Sequence, residues 1–352
     1  MPHVAVFGDL FVRASILIQA LETHVRPVVG PLTYASCELG YPLEPAQHNA
    51  EIREYVAAEA DALARAADAD IIVNHMAPFT AAVVAGLGRA EIIGSSRTEP
   101  VNINMPAVTA AGIPVVYAPG RNARAVAEFT VGLIIAETRN LARSHAALAQ
   151  GVWRADLYLY DRAPRELAGQ TVGLIGFGNI GKLMPGYLRA FGMRVLAYDP
   201  YVADAEFSER GVERITDMAA LLAESDIVSL HARVTPETRG FIAEPQFRQM
   251  KRGATFINTA RGPMVDYDAL YRALVSGHLA GAGLETFSVE PMPPDAPLLR
   301  LPNVTLSPHI AGCSVQSAQN AAEMVARDIA NFYAGRPLAH CANPEVLSHA
   351  RR

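Results

Sequence analysis

The chain has 352 residues, 51% apolar and 18% charged, with 30 Lys and Arg against 35 Asp and Glu and a formal net charge of −5. That is the make-up of an ordinary globular protein of about two domains, and its mildly acidic balance leaves no electrostatic footprint for nucleic acid. No apolar run approaches the roughly 18 residues that span a membrane. Cys37, Cys313 and Cys341 are widely spaced, with neither a Cys-x-x-Cys clip for a metal nor a disulfide framework. The amino terminus from Met1 to Gly8 reads as a first strand, not as a signal peptide. A reducing cytoplasm is therefore the expected compartment.

Residues 3–118 alternate short apolar runs with amphipathic segments. His3–Phe7, Arg26–Val29, Asp70–Val73, Glu91–Ile93 and Ile113–Tyr117 read as strands. Val12–Leu21 and the alanine-rich Ala50–Ala67 read as helices, and Tyr34–Pro45, with Gly40, Pro42 and Pro45, as a loop. Alternation of strands and helices demands crossovers, so a parallel α/β sheet of the flavodoxin-like kind is expected. Pro119–Gly120 marks a break. Asn122 to Gln150 then reads as one long helix, apolar on more than one side, buried between domains or against a second subunit. Trp153 follows, and packing is the simplest role for it.

Thr171–Val172–Gly173–Leu174–Ile175 is a short apolar strand running into Gly176–Phe177–Gly178–Asn179–Ile180–Gly181. In that pattern the first glycine allows a tight turn, the second a close approach to a pyrophosphate, and the third tight packing of the following helix. The helix's free N–H groups then face the phosphates. Arg194–Tyr198 reads as the next strand and ends at Asp199, about 20 residues on, where a ribose-binding acid belongs. An acid there accepts from both ribose hydroxyls and repels a 2′-phosphate, which favours NAD over NADP. The alternative is that Asp199 merely opens the Asp199–Pro200 turn. Further strands are expected at Asp226–Leu230, Ala254–Asn258, Ala280–Leu284 and Asn303–Leu306, giving a six-stranded, doubly wound Rossmann domain. Pro185 falls in the helix after the glycines, where beyond the first turn it would kink it. A helix from Ser314 to about Tyr333 and an extended tail close the chain.

Ligands of open α/β sheets bind beyond the carboxyl ends of the strands, so polar residues there are the first suspects. Arg261 follows the fourth strand of this unit, Glu285 and Glu290 the fifth, and His309 the sixth. An arginine grips a planar carboxylate with paired N–H donors. A histidine exchanges a hydroxyl proton near neutrality, and a carboxylate bonded to it fixes its tautomer and raises its pKa. Beside a nicotinamide these groups suffice to oxidise an alcohol next to a carboxylate. Singly, each also has a plain reading as a surface, turn or loop residue.

Several separated motifs carry a resemblance. They are Pro119–Gly120–Arg121–Asn122 through Phe129, the glycine loop, Thr235–Pro236–Glu237–Thr238–Arg239–Gly240, Met250–Lys251–Arg252–Gly253, Ile257–Asn258–Thr259–Ala260–Arg261–Gly262 and Ser307–Pro308–His309–Ile310. Together, over about residues 90–344, the chain resembles the D-isomer-specific 2-hydroxyacid dehydrogenases, with phosphoglycerate dehydrogenases among the relatives. The resemblance implies two doubly wound α/β domains: a flavodoxin-like substrate domain from residues 1–119 and 312–352, and a Rossmann NAD domain from 120–311. It implies hydride transfer between nicotinamide and C2 of a 2-keto acid or D-2-hydroxy acid held in a cleft between them. Arg261 would bind the substrate carboxylate and carbonyl oxygen, His309 would be the acid/base and Glu290 its partner. Gly176, Gly178, Asn179, Ile180, Gly181, Asp199, Thr259, Ala260, Arg261, Glu285 and His309 are the implied cofactor contacts. Ser96, Arg97, Arg261 and His309 are those for substrate. No metal is implied, and a homodimer through the helix after Pro119–Gly120 is.

The chain also departs from the family. Glu285 stands where an Asp commonly faces the nicotinamide amide. A usually glycine-rich loop reads Gly94–Ser95–Ser96–Arg97–Thr98–Glu99–Pro100, in which Arg97 could meet a phosphate or second carboxylate, or simply be solvated. His231–Ala232–Arg233–Val234 replaces a more apolar turn and makes Arg233 a further candidate beside the nicotinamide. Two rival functions stand beside the main one: a formate- or phosphite-type dehydrogenase on the same scaffold, and an NAD(H)-sensing, corepressor-like binding protein.

Overall fold

The computed structural model describes residues 1–348, and the chain divides into two compact units. The first comprises Met1–Asn122 and the chain from Cys313 onward. Its strands are β1 (His3–Asp9), β2 (Thr33–Leu39), β3 (Ile71–Asn74), β4 (Ile92–Ser95) and β5 (Val115–Tyr117). All pair in parallel in the order β2-β1-β3-β4-β5, the flavodoxin-like winding. Successive side chains go to opposite faces. Val4, Val6, Ile71 and Val73 meet helix α1 (Ala14–His24) and the C-terminal helix Val315–Tyr333. Ala5, Phe7, Ile72 and Ile93 meet helix α2 (Glu59–Ala66) on the other side. A sheet covered on both faces explains why these strands are apolar almost throughout.

Three expectations fail in or beside this unit. Arg26–Val29 is a helical turn, not a strand, with Pro27 in its first turn, where the missing N–H costs nothing. The second strand is Thr33–Leu39, most of it inside the expected Tyr34–Pro45 loop. It lies at the sheet edge, and its half-polar sequence hides it. Ala50–Ala67 is helical only over Glu59–Ala66. Upstream, Gln47–His48 and Arg53–Tyr55 form a small antiparallel ladder, and Asn49 Oδ1 takes the N–H groups of Glu51 and Ile52 at 2.8 Å. A side chain that captures its own backbone in this way competes with helix. Glu54 and Ala57, both at positive φ, complete the interruption.

The second unit, Ala123–Gly312, holds seven strands. They are β6 (Thr171–Ile175), β7 (Arg194–Tyr198), β8 (Glu213–Arg214), β9 (Ile227–Leu230), β10 (Ala254–Asn258), β11 (Leu279–Leu284) and β12 (Val304–Leu306). Their order is β8-β7-β6-β9-β10-β11-β12, all parallel, which is the Rossmann winding with one more strand appended. The unexpected strand is β8, whose two residues are too few to show periodicity.

The long helix expected over Asn122–Gln150 is two helices, α3 (Ala123–Thr138) and α4 (Leu141–Ala149). Asn140 breaks them at φ 61°, a left-handed conformation that asparagine tolerates. One stripe of α3, from Ala123 through Val126, Ala127, Thr130, Leu133 and Ile134 to Glu137, is buried. Trp153 is not packed into the core of the chain; it is 80% exposed. Nor does the helix after the glycines run straight from them. Lys182 N–H bonds to Gly178 O at 3.0 Å in an intervening turn, and α5 (Met184–Ala190) begins afterwards. Pro185 therefore falls in the first turn of α5 and kinks nothing. No helix among the described residues is long and apolar enough to cross a membrane.

Candidate active site

The glycine loop leaves the carboxyl end of β6. Gly176 has φ +97°, and a Cβ there would stand 2.6 Å from the backbone of His231 and Ala232. A Cβ at Gly181 would meet Gly176 O at 2.3 Å. Both glycines are thus demanded by the chain's own packing. Gly178 is different: apart from its own chain neighbours, no protein atom lies within 4 Å of where its Cβ would be. Nothing within the chain asks for glycine there, whereas close approach of a pyrophosphate does. Phe177 anchors the loop from below, stacked on Phe207 at 4.5 Å. Asn179 is exposed beside Gly178, and Ile180 leans on the core.

Asp199, at the end of β7, accepts from Phe177 N–H at 2.8 Å and from Tyr201 N–H at 2.9 Å. Its carboxylate therefore both steadies the glycine loop and opens the turn at Pro200. Each oxygen has one protein donor and keeps a lone pair for a ribose hydroxyl. The residues present fit a dinucleotide.

The ends of β10, β11 and β12 carry the polar groups. After β10, Asn258 Oδ1 accepts Ala260 N–H at 3.0 Å, and Thr259 Oγ1 lies 2.8 Å from Thr130 Oγ1 on α3. Arg261 is exposed, with Nη1 donating to Ala260 O at 2.8 Å. After β11, Glu285 is buried; burial pushes its carboxyl pKa up. Its Oε1 accepts Ala311 N–H at 2.8 Å, and its backbone carbonyl accepts His309 N–H at 3.0 Å. The longer acid is thus engaged by the backbone that follows His309. His309 itself sits at φ 56°, a left-handed conformation costly for a non-glycine residue and held by these bonds.

His309 Nδ1 lies 2.6 Å from Glu290 Oε2, and Glu290 Oε1 accepts Phe287 N–H at 2.7 Å. Burial works against charge on both partners. The imidazole nevertheless holds Glu290 below the usual carboxylate range, and Glu290 holds His309 above the usual histidine value. The Arg261 charge acts on both, pressing His309 down and favouring the Glu290 anion, so the three groups share one electrostatic neighbourhood. Tyr267 ties the loops together, donating to Thr286 O and receiving Asn258 Nδ2 at 3.3 Å.

Gathered in this unit, then, are Arg261, Glu290, His309 and Glu285. Arg233 is exposed after β9, and its carbonyl accepts from Thr238 Oγ1 at 2.6 Å. Ser96 and Arg97 belong to the other unit. There Ser96 Oγ donates to Asn74 O at 3.3 Å, and Arg97 pairs with Glu54. Among the described residues no three His, Cys, Asp or Glu side chains gather as a metal site. Missed in the sequence was a set in the first unit, buried Asp9 and His75 with half-buried Arg121. The rule used for the second unit, polar residues just past strand ends, would have found it.

A family model for the D-isomer specific 2-hydroxyacid dehydrogenase NAD binding domain matches residues 131–311. The chain belongs to the D-isomer-specific 2-hydroxyacid dehydrogenase family. The dehydrogenase is 37% identical over 284 residues to a glyoxylate reductase of Korarchaeum cryptofilum, a match covering 80% of this chain and 85% of that one. It is 36% identical over 273 residues to the D-3-phosphoglycerate dehydrogenase of Archaeoglobus fulgidus, covering 78% of this chain but 51% of that longer protein. Among solved structures, the TT0316 protein of Thermus thermophilus superposes with a TM-score of 0.78 at 28% identity, covering 97% of this chain and 99% of that one. As a member of the family the dehydrogenase uses NAD and acts on 2-hydroxy acids.

Proposed function

We propose that the second unit catalyses reversible hydride transfer between NAD and C2 of a small 2-keto acid/D-2-hydroxy acid pair, with His309 as acid/base. The observation that carries this reading is the 2.6 Å bond between His309 Nδ1 and Glu290 beside the Arg261 charge. Gly176, Gly178 and Gly181 would cradle the pyrophosphate, Asn179, Ile180, Thr259 and Ala260 would flank the dinucleotide, and Asp199 would take the ribose hydroxyls. Bound there, the nicotinamide supplies or accepts the hydride.

The remaining chemistry belongs to the chain. With Nδ1–H committed to Glu290, His309 presents Nε2 to the substrate. In reduction the C2 carbonyl becomes an alkoxide as it gains hydride, and Nε2–H gives that oxygen its proton. Glu290 stays anionic and stabilises the imidazolium that this step consumes. In oxidation the hydroxyl proton passes to Nε2. Arg261 offers paired N–H groups to the substrate carboxylate and its charge to the developing alkoxide. Glu285 holds the His309 turn in place. A formate-type oxidation has no hydroxyl proton to move, so the Glu290–His309 pair favours the keto-acid reading over that rival.

The setting proposed with it is a cytoplasmic homodimer. Leu141, Leu148, Val152 and Trp153 are all exposed on the segment after α3, an apolar surface of the kind that a subunit contact covers. The test of the reaction is a panel of 2-keto acids, from glyoxylate to dicarboxylic and phosphorylated members, with NADH and NADPH. We expect NADH oxidation by at least one member and a product of D configuration. Tight NADH binding with no turnover across the panel would replace the enzyme by a nucleotide-sensing protein.

A further inference from the structure

At the strand ends of the first unit stand Asp9, the last residue of β1, Tyr41 after β2, His75 after β3, Arg97 after β4 and Arg121 after β5. We propose that Arg121 and Arg97, grouped around His75, form an oxyanion-binding site in this unit for the carboxylate or phosphate of a small acid.

Asp9 is fully engaged. Its Oδ1 accepts Phe11 and Val12 N–H at 2.9 and 2.8 Å, and its Oδ2 takes the Nδ1 proton of buried His75. His75 Nε2 is then an acceptor, and Arg121 Nη2 lies 3.4 Å from it. Burial pushes the His75 pKa down to about 4, so the ring is neutral and adds no positive charge of its own.

Arg121 is the unusual member. Its guanidinium donates to Ser317 O at 3.3 Å and lies 5.7 Å from the Phe11 ring, and its Nε is buried without a partner. A guanidinium has five N–H donors, and here its two protein hydrogen bonds are long and reach no carboxylate. Burial and the nearby Arg97 charge lower its pKa to about 10, which still leaves it a cation at neutral pH. A half-buried cation without a bonded anion is costly unless something completes it.

Arg97 repeats the pattern. Its Nε too is buried and unpartnered, and its acidic partner Glu54 is 52% exposed. An ion pair with so exposed a carboxylate is weak and readily exchanged. Tyr41 packs edge-on to His75 at 6.0 Å, and the Arg97 charge eases its ionisation against the burial that opposes it. Two planar forks suit a carboxylate or phosphate. Asp9 and Glu54 balance the two cations, which favours a small group that displaces Glu54 over an extended polyanion. The ligand is either a second acidic group of the substrate or a free inorganic anion. The site rests on the dehydrogenase reading only for the first of these.

Calorimetric titration of the full chain with inorganic phosphate, and separately with malonate, tests the site without turnover, so it and the proposed reaction can fail independently. We expect saturable binding that Arg121→Gln and Arg97→Gln each weaken by about tenfold or more. Glu54→Gln should tighten it. Should Arg121→Gln fail to fold, Arg121→Lys keeps the charge, loses the fork, and should weaken binding in the same direction. No saturable binding to the unaltered chain, or binding indifferent to both Arg121 and Glu54, would overturn the proposal. A kinetic arm separates the sources. Substrate origin predicts that Arg121→Lys raises KM for dicarboxylic or phosphorylated keto acids more than for monocarboxylic ones; a free anion predicts equal KM changes.

Discussion

Glu290 holds two things at once: His309 Nδ1 at 2.6 Å through one carboxylate oxygen and Phe287 N–H at 2.7 Å through the other. Burial alone would lower the His309 pKa, but the Glu290 anion outweighs it and the net shift is upward from 6.5. Reduction needs the protonated ring, so its kcat/KM should fall as pH rises through the His309 value, which lies above 6.5. Oxidation should show the mirror image. In Glu290→Gln the burial and the Arg261 charge remain, and both lower the pKa. The inflection in the pH–rate profile should then move to lower pH in both directions. An inflection left where it was would remove Glu290 from this role.

Replacing His309 with Ala takes away the proton relay and leaves the glycine loop untouched. Turnover should fall by about 10²–10⁴-fold, with NADH affinity unchanged in a fluorescence titration. Arg261→Ala should raise KM and lower kcat together, because the same fork would grip the ground-state carboxylate and the developing alkoxide. Arg261→Lys should restore part of the loss, since a lysine keeps the charge without the paired donors. Ordinary turnover by His309→Ala would sink the mechanism.

Gly178 and Gly262 should separate ligand binding from folding. A Cβ on Gly262 would stand 1.9 Å from Phe287 C, so the backbone that Glu290 holds must move. Overpacking of this kind costs about 1–3 kcal/mol, and Gly262→Ala should lower both Tm and turnover. A Cβ on Gly178 meets nothing. Gly178→Ala should keep the Tm of the unaltered chain and bind NADH more weakly. Equal NADH affinity in Gly178→Ala would mean that the dinucleotide does not approach there.

The sequence shows most plainly what the backbone demands. The central strands of both sheets are legible because they are apolar on both faces, and the strand-end rule singles out Arg261, Glu285, Glu290 and His309 without reference to contacts. What it misses has local causes. Thr33–Leu39 is an edge strand with polar residues on its open side, and Asn49 diverts a helix-like alanine-rich stretch. Asn140 splits one periodic run into two helices at a single left-handed residue. Glu285 looks like a displaced cofactor contact in sequence; its engagement by Ala311 N–H depends on a turn that only the folded chain displays. The Asp9–His75–Arg121 set joins residues up to 112 positions apart, so no single motif displays it, although each member lies at or just past a strand end.

His231 offers a test of stability that is independent of the reaction. The ring is buried behind the glycine loop, with Nε2 2.9 Å from Ser229 Oγ and Nδ1 without a partner. Burial pushes its pKa down from 6.5 to about 4. Between those values the unfolded chain binds a proton that the folded chain refuses. Stability from this group is therefore complete above pH 6.5 and lost as pH falls toward 4. The loss approaches about 1.4 kcal/mol per pH unit within that window. His231→Gln keeps a side chain that can hydrogen-bond to Ser229 and removes the titration. Its Tm should decline less steeply with acid than that of the unaltered chain, although His75, shifted the same way, will leave part of the slope in both. Parallel Tm curves for the two proteins across this range would show that His231 gains its proton as readily folded as unfolded, and that burial does not hold it neutral.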